Sequence, residues 1–214
     1  MSRPHPYVMF FGDAVDADSQ IAFLRESMDS LERLLFEAAR RLPGDHPPLN
    51  DAVAALAADR ETLYGEILPE VVHESHAISC MVFLERVCRD FVKELAFALP
   101  SKLTLNDLSG TVLERFRTYC EKLAALEFNL SPDEWQTVQG LLAIRNALVH
   151  TSGLIENSRD KRTIEVFIQR HRTPEVVDGR LRLSRATSEL YIDTLARFTE
   201  AIFNAALDRF PREA

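Results

Sequence analysis

Glycine is scarce in this chain, with seven residues in 214. Folds made of many tight turns draw on glycine wherever φ must become positive, so the shortage argues against a turn-rich β architecture and for long helices. Cysteine is sparser still. Cys80, Cys88 and Cys120 form no CxxC pair, and an odd number argues against a disulfide framework. Cys88 stands among apolar neighbours and reads as a small core residue. No uninterrupted apolar run approaches the roughly 20 residues that a helix needs to cross a bilayer. The apolar patch from Tyr7 to Phe11, behind Met1-Ser2-Arg3-Pro4-His5-Pro6, is too short for a signal peptide. A cytoplasmic location is the expectation. Positive charge is also in deficit: the formal net charge of −8 counts against non-specific nucleic-acid binding driven by overall charge.

Several chemical signatures are missing as well. Neither GxGxxG nor GxxxxGKS occurs, HExxH is absent, and no nucleophile elbow is recognisable. His73 and His76 stand three residues apart and could chelate a metal with Glu70 or Glu74. No cysteine or second histidine pair accompanies them, so neither a metal nor a cofactor is expected.

What is present is helical periodicity. Hydrophobic residues make up 46% and charged residues 27%, globular proportions that suit one sizeable core. Over 16–41, Ile21, Leu24, Met28, Leu31, Leu34 and Leu35 recur at steps of three and four, which makes one helix face. Pro43-Gly44-Asp45-His46-Pro47-Pro48 ends that helix as a rigid linker. Residues 1–48 therefore read as an N-terminal helix and linker packing on a helical domain of 49–214. Within it, a short helix is expected over 50–64 and a long one over 69–99. The long one carries Ile78, Met81, Val82, Cys88, Phe91, Val92, Leu95 and Leu99 on its apolar side, and Pro100 stops it. Glu85 sits inside that stripe, where a carboxylate is costly to bury without a partner.

A further amphipathic stretch spans 105–126. Ser131-Pro132-Asp133-Glu134 is the clearest helix start: Ser131 caps, Pro132 suits the first helical position and Glu134 completes a capping box. That helix carries Trp135, read as core or interface, and runs to Gly153, a natural terminator. Beyond it, the β-branched run Thr163 to Ile168 and the alternating Arg180-Leu181-Arg182-Leu183, with Asp178-Gly179 between, predict a small β-hairpin with a long loop. A last helix is expected over 188–210. The fold class is all-α with a small β-hairpin before the last helix.

Between Leu154 and Arg185 eight basic residues face five acidic ones, which makes this stretch basic in an otherwise acidic chain. It reads either as a phosphate-contacting segment, with Arg159, Lys161 and Arg162 nearest the preceding helix, or as an ordinary solvated face.

The chemistry concentrates in Arg145-Asn146-Ala147-Leu148-Val149-His150. Arginine supplies a permanent charge and a planar donor fork suited to phosphate. Histidine titrates near neutrality and moves protons. Together they meet what metal-free cleavage of an RNA phosphodiester requires: one group manages the 2′-hydroxyl or leaving-oxygen proton, and another stabilises charge at phosphorus. The bland alternative makes Arg145 a partner of acidic neighbours and His150 a helix-end residue favoured by the dipole.

This hexapeptide resembles the R-x4-H motif of HEPN (higher eukaryote and prokaryote nucleotide-binding) proteins, including the Asn after the Arg. The likeness extends over 69–210 as an order of helices, though only the hexapeptide is specific. The resemblance implies a bundle of four to five core helices. It also implies a homodimer whose motifs line one cleft and cleave RNA without metal, as a toxin or defence effector, with a cognate antitoxin or regulatory protein as the expected partner. It assigns Arg145 to the transition state, His150 to general acid or base catalysis, and Asn146 to orientation, with Glu85 pairing Arg145. A non-catalytic nucleotide- or protein-binding version of the fold is the alternative. Some toxins of that family carry a modified tyrosine two places after the histidine; here the position is Ser152, which leaves that regulation without its residue. Five helical steps separate Arg145 and His150 by about 140°, so one site holds both only if the helix loosens or a second copy approaches. Asn146 and His150 share a face.

Overall fold

The computed structural model describes residues 5–40, 51–99 and 103–212. It is all-α apart from one two-stranded hairpin. Helix α1 (Pro6–Arg40) begins ten residues before the periodic segment, because Phe10 and Ala17 extend the inner face of Ile21 and Met28. Leu31 and Leu34, expected on that buried face, are 47% and 59% exposed. The expected linker at 43–48 lies outside the described residues.

Helix α2 (Asp51–Thr62) does not end as a separate helix. It passes through a π-helical turn, Leu63–Ile67, into α3 (Leu68–Ala98), with Ile67 still in right-handed helical geometry. Pro69 falls in the first turn of α3, where no intrahelical N–H is required of it. By length and composition alone the run Ala58–Ala98 is long and apolar enough to cross a membrane. Here its apolar side is the axis of the bundle: α3 packs against α1, α5, α7 and α4 (Val112–Thr118).

The stretch 105–126, expected as one amphipathic run, is broken. A 3-10 turn at Leu105–Asp107 comes first. Thr111 then caps α4, closing a capping box with Glu114, and a π turn at Tyr119–Leu123 follows. Gly110, at φ 109°, makes the break.

Helix α5 (Pro132–Thr151) starts at the capping box of Ser131 and Glu134. It ends with Ser152 and Gly153 both at positive φ, and the Gly153 amide donates to the Ala147 carbonyl. Trp135 is core: it meets Phe198 edge to face at 5.7 Å and lies beside Phe128. Cys88 is fully buried, and burial pushes its thiol far above the ordinary cysteine range.

One expectation is overturned. Thr163 to Ile168 is not a strand but part of helix α6 (Lys161–His171). Ile164 and Phe167 are buried, a spacing of three that places both on the face toward α5. Tertiary packing of that face outweighs the β preference of the branched residues. The hairpin is shorter, β1 (Glu175–Val177) with β2 (Arg180–Arg182), joined by Asp178 and Gly179, both at positive φ. Helix α7 (Arg185–Arg209) closes the bundle against α1 and α3. Its Tyr191 hydroxyl, fully buried, donates to the Leu141 carbonyl at 2.8 Å and ties α7 to α5.

Candidate functional site

Helix α5 carries the motif in its last two turns and stays α-helical through Thr151. No loosening near His150 brings the imidazole round to Arg145. The guanidinium turns toward α3, where Nη2 stands 4.0 Å from Glu85 Oε1, with the two side chains 20% and 22% exposed. Glu85, the carboxylate inside an apolar stripe, thus has its partner. Arg145 Nε is buried without a hydrogen-bond partner in the protein, a costly position for a donor.

His150 faces the other way. It is exposed and opens, with Asn146 and Thr151, onto a cleft of about 550 Å³ whose far wall is Asn157, Ser158, Arg159 and Asp160. Asn146 joins the two environments. Its Oδ1 accepts from Arg145 Nη1 at 3.1 Å, and its Nδ2 donates to Asp160 Oδ2 at 3.4 Å. Glu85, Arg145, Asn146 and Asp160 therefore form one polar chain crossing from α3 through α5 to the start of α6. Arg145 does not line the histidine's cleft, but it is one hydrogen bond from a residue that does.

Local sequence explains the cleft wall. After Gly153 the chain makes a 3-10 turn, Ile155–Asn157, pinned by buried Ile155. The hairpin buttresses this turn: Ile155 N donates to Gly179 O at 3.1 Å and Leu181 N to Gly153 O at 3.0 Å. Ser158 Oγ accepts from the Asp160 amide at 3.2 Å and holds the carboxylate at the head of α6. Ser152 is exposed, and its carbonyl accepts from Arg180 at 3.2 Å.

The three basic residues proposed to meet RNA have different fates. Arg159 lines the His150 cleft and has no ion-pair partner among the described residues. Lys161 is held by Glu156 at 2.7 Å and approaches Glu165 at 3.9 Å, so its charge is largely spent within the protein. Arg162 opens onto a neighbouring groove farther along α5 and α6. Elsewhere in the basic segment, Arg170 pairs with Asp133, Arg182 approaches Glu70, and Arg185 binds Asp29, Glu32 and Glu189.

Sequence reasoning missed Asn157, Ser158 and Asp160. The signal available was a run of short polar residues between two helices, the composition of a turn that presents side chains. His73 and His76 are not arranged around a shared cation position. His73 lies between Glu32 (3.4 Å) and Ser188 (3.0 Å), and His76 is 3.8 Å from the Cys80 sulfur. No group of three or more His, Cys, Asp or Glu side chains could hold a metal among the described residues.

Comparison of this chain with protein-family models, curated proteins and solved structures gives no match.

Proposed function

We propose that this protein is a metal-independent RNA endonuclease of the HEPN type, acting as a homodimer in the manner of a toxin or defence effector. The observation that carries the reading is an exposed imidazole at a helix end, in a cleft walled by Asn146, Ser158 and Arg159, one residue removed from a guanidinium. In the reaction the 2′-hydroxyl oxygen attacks the adjacent phosphorus while its proton passes to a base. The P–O5′ bond breaks and the leaving oxygen takes a proton, giving a 2′,3′-cyclic phosphate and a 5′-hydroxyl end. His150 performs one of the two proton transfers. Arginine stabilises the charge that builds on the phosphoryl oxygens.

A single chain holds Arg145 beside Glu85 and His150 in the cleft. A second copy, bringing its own α5 end against the first, supplies the motif guanidinium to this cleft, beside Arg159, across a two-fold axis. Purified protein incubated with total RNA is expected to cleave it in excess EDTA, and Arg145→Ala and His150→Ala are each expected to be inactive. Mixing the two inactive variants under subunit exchange should restore about a quarter of wild-type activity, because half of the dimers then hold one intact composite site. RNA left whole by the wild type would sink the nuclease reading; an inactive mixture would sink the composite site.

The ion pair of Arg145 with Glu85 favours a second reading, a non-catalytic nucleotide- or protein-binding module in which the guanidinium is structural. That module shows no turnover, and Arg145→Ala lowers its melting temperature rather than an activity.

A further inference from the structure

The His150 cleft has a neighbour on the same helix. A second groove, of about 240 Å³, follows it along the same pair of helices, lined on α5 by Gln136, Thr137 and Gln139 and on α6 by Arg162, Arg170 and His171. Gln136, Gln139, Ala143, Asn146 and His150 recur on α5 at steps of three and four, which puts them on one face. Fourteen residues separate the ends of this row, about 21 Å along the helix. Ala143, at the middle of the row, is covered and lines neither hollow, so the two stand as separate depressions along one helix face. Because α6 runs antiparallel to α5, Arg159, in the turn before α6, and Arg162, in its first turn, follow one another on the opposite side. Both are exposed, and neither has an ion-pair partner among the described residues.

The two walls differ in chemistry. The side that faces α5 near His150, from the turn before α6 into its first turn, offers two unspent cations, Arg159 and Arg162, that suit a phosphate backbone. The exposed Gln139 offers an amide that both donates and accepts, as base edges require, while Gln136, whose Oε1 accepts from Arg170 Nη2 at 2.9 Å, offers its amide donors. At the far end the Thr137 hydroxyl lies 3.2 Å from His171 Nε2, and the His171 ring rests on Phe167 at 4.5 Å. Burial lowers the His171 pKa, assisted by the neighbouring Arg170. Among the described residues lining the two hollows the acidic group is Asp160, which holds Asn146, and Asp133 holds Arg170 at the far end. A duplex cannot present base edges to so narrow a face, whereas a single strand can.

We infer that the α5–α6 seam is a single-strand track, in which RNA cut at His150 continues past Arg159 and Arg162 to Gln139 and Gln136. This rests on the RNA reading above and adds the form of the substrate and the residues that hold it beyond the scissile phosphate. Its length suits on the order of four nucleotides, the lower end of single-strand site sizes.

The test uses the full chain and labelled 2′-O-methyl oligonucleotides of three, six and twelve nucleotides, which lack the attacking hydroxyl, read by fluorescence anisotropy. Affinity is expected to rise about tenfold from three to six nucleotides and then level off. Arg162→Glu should weaken six-nucleotide binding about tenfold and lower its salt slope by about one. Gln136→Ala with Gln139→Ala should change base preference at constant salt slope. Arg172→Glu, which faces a different groove, should bind as wild type.

Wild-type affinity in both Arg162→Glu and Arg162→Gln would overturn the track, as would absence of binding at every length. Total-RNA cleavage in EDTA separates the two readings. Cleavage with unaltered binding by the Arg162 variants removes the track and keeps the nuclease. Binding that depends on Arg162, without cleavage, keeps the track and removes the nuclease.

Discussion

Asn146 links the two halves of the motif. Its amide accepts from the guanidinium that leans on Glu85 and donates to the carboxylate at the head of α6. Both bonds use the side chain in one orientation, Oδ1 toward the Arg145 guanidinium and Nδ2 toward α6, and an aspartate, with no amide donor, could not make the second. If the proposed nuclease reading holds, Asn146→Ala should lower kcat on the order of a hundredfold through misplacement of the arginine, with KM little changed. A circular-dichroism melt distinguishes this from unfolding. Cleavage at the wild-type rate would show that the bridge has no catalytic consequence. Adjacency of Arg145 and Asn146 is visible in the sequence. That the second bond goes to Asp160, fourteen residues away, is not.

At the level of elements, the site depends on how closely α6 lies against α5, and Gly140 sets that distance. A methyl group on Gly140 would meet the Phe167 side chain, with the ring carbon Cγ at 2.8 Å and Cβ at 2.9 Å. The Cβ contact matters because rotating the ring cannot relieve it. Alanine in mid-helix ordinarily stabilises by up to about 1 kcal/mol over glycine. Here overpacking should outweigh that gain, so Gly140→Ala is expected to destabilise the protein by about 1–3 kcal/mol, measured by urea denaturation. A stabilised Gly140→Ala variant would mean that α6 can shift away from α5 without loss. Gly140 also accounts for the reading that failed. Thr163 to Ile168 suits a strand by composition, but Phe167 has a place to pack only against a glycine in another helix, and no local pattern records that pairing.

At the scale of the whole molecule, α1, α3 and α7 meet at a polar junction whose inner side, His73 and Ser188, is buried and whose outer side, Arg185 with Asp29 and Glu189, is open to solvent. Glu32 of α1 is bound by Arg185 of α7 and approached by His73 of α3, whose other nitrogen meets Ser188. Asp29 and Glu189 share Arg185. The carboxylate favours a charged His73, yet burial and Arg185 together hold the imidazole pKa below its ordinary value of 6.5. Arg185 already neutralises much of the Glu32 charge, so desolvation wins. His76 is likewise pushed down, by burial first and then by His73, against a hydrogen bond with the Leu24 backbone. Below about 6.5 the unfolded chain gains protons that these folded imidazoles resist. Their contribution to stability is therefore complete above that pH and is lost as pH falls through it. Asp13, Glu74 and Glu94, whose carboxyl pKa values burial raises, act with the opposite sign at lower pH. A His73→Gln, His76→Gln double variant should show a flatter fall in urea midpoint between pH 7.5 and 5.5 than wild type. Equal slopes would remove the histidines from the acid response.

Much of the architecture was legible without coordinates because it is written in short-range terms. Glycine shortage, three- and four-residue apolar steps, the Ser131–Glu134 box and the Gly153 stop all act within a few residues, and the helices of α3, α5 and α7 follow from them. The motif's own difficulty was legible too, since 3.6 residues per turn already separates Arg145 from His150. The pairing of Glu85 with Arg145 was expected from the family resemblance, but tertiary structure alone decided the other partners: Asp160 for Asn146, Glu156 for Lys161, and an open groove for Arg162. Those choices depend on where α3 and α6 cross α5, and crossing is set by side-chain volumes from distant parts of the chain, Gly140 against Phe167 above all.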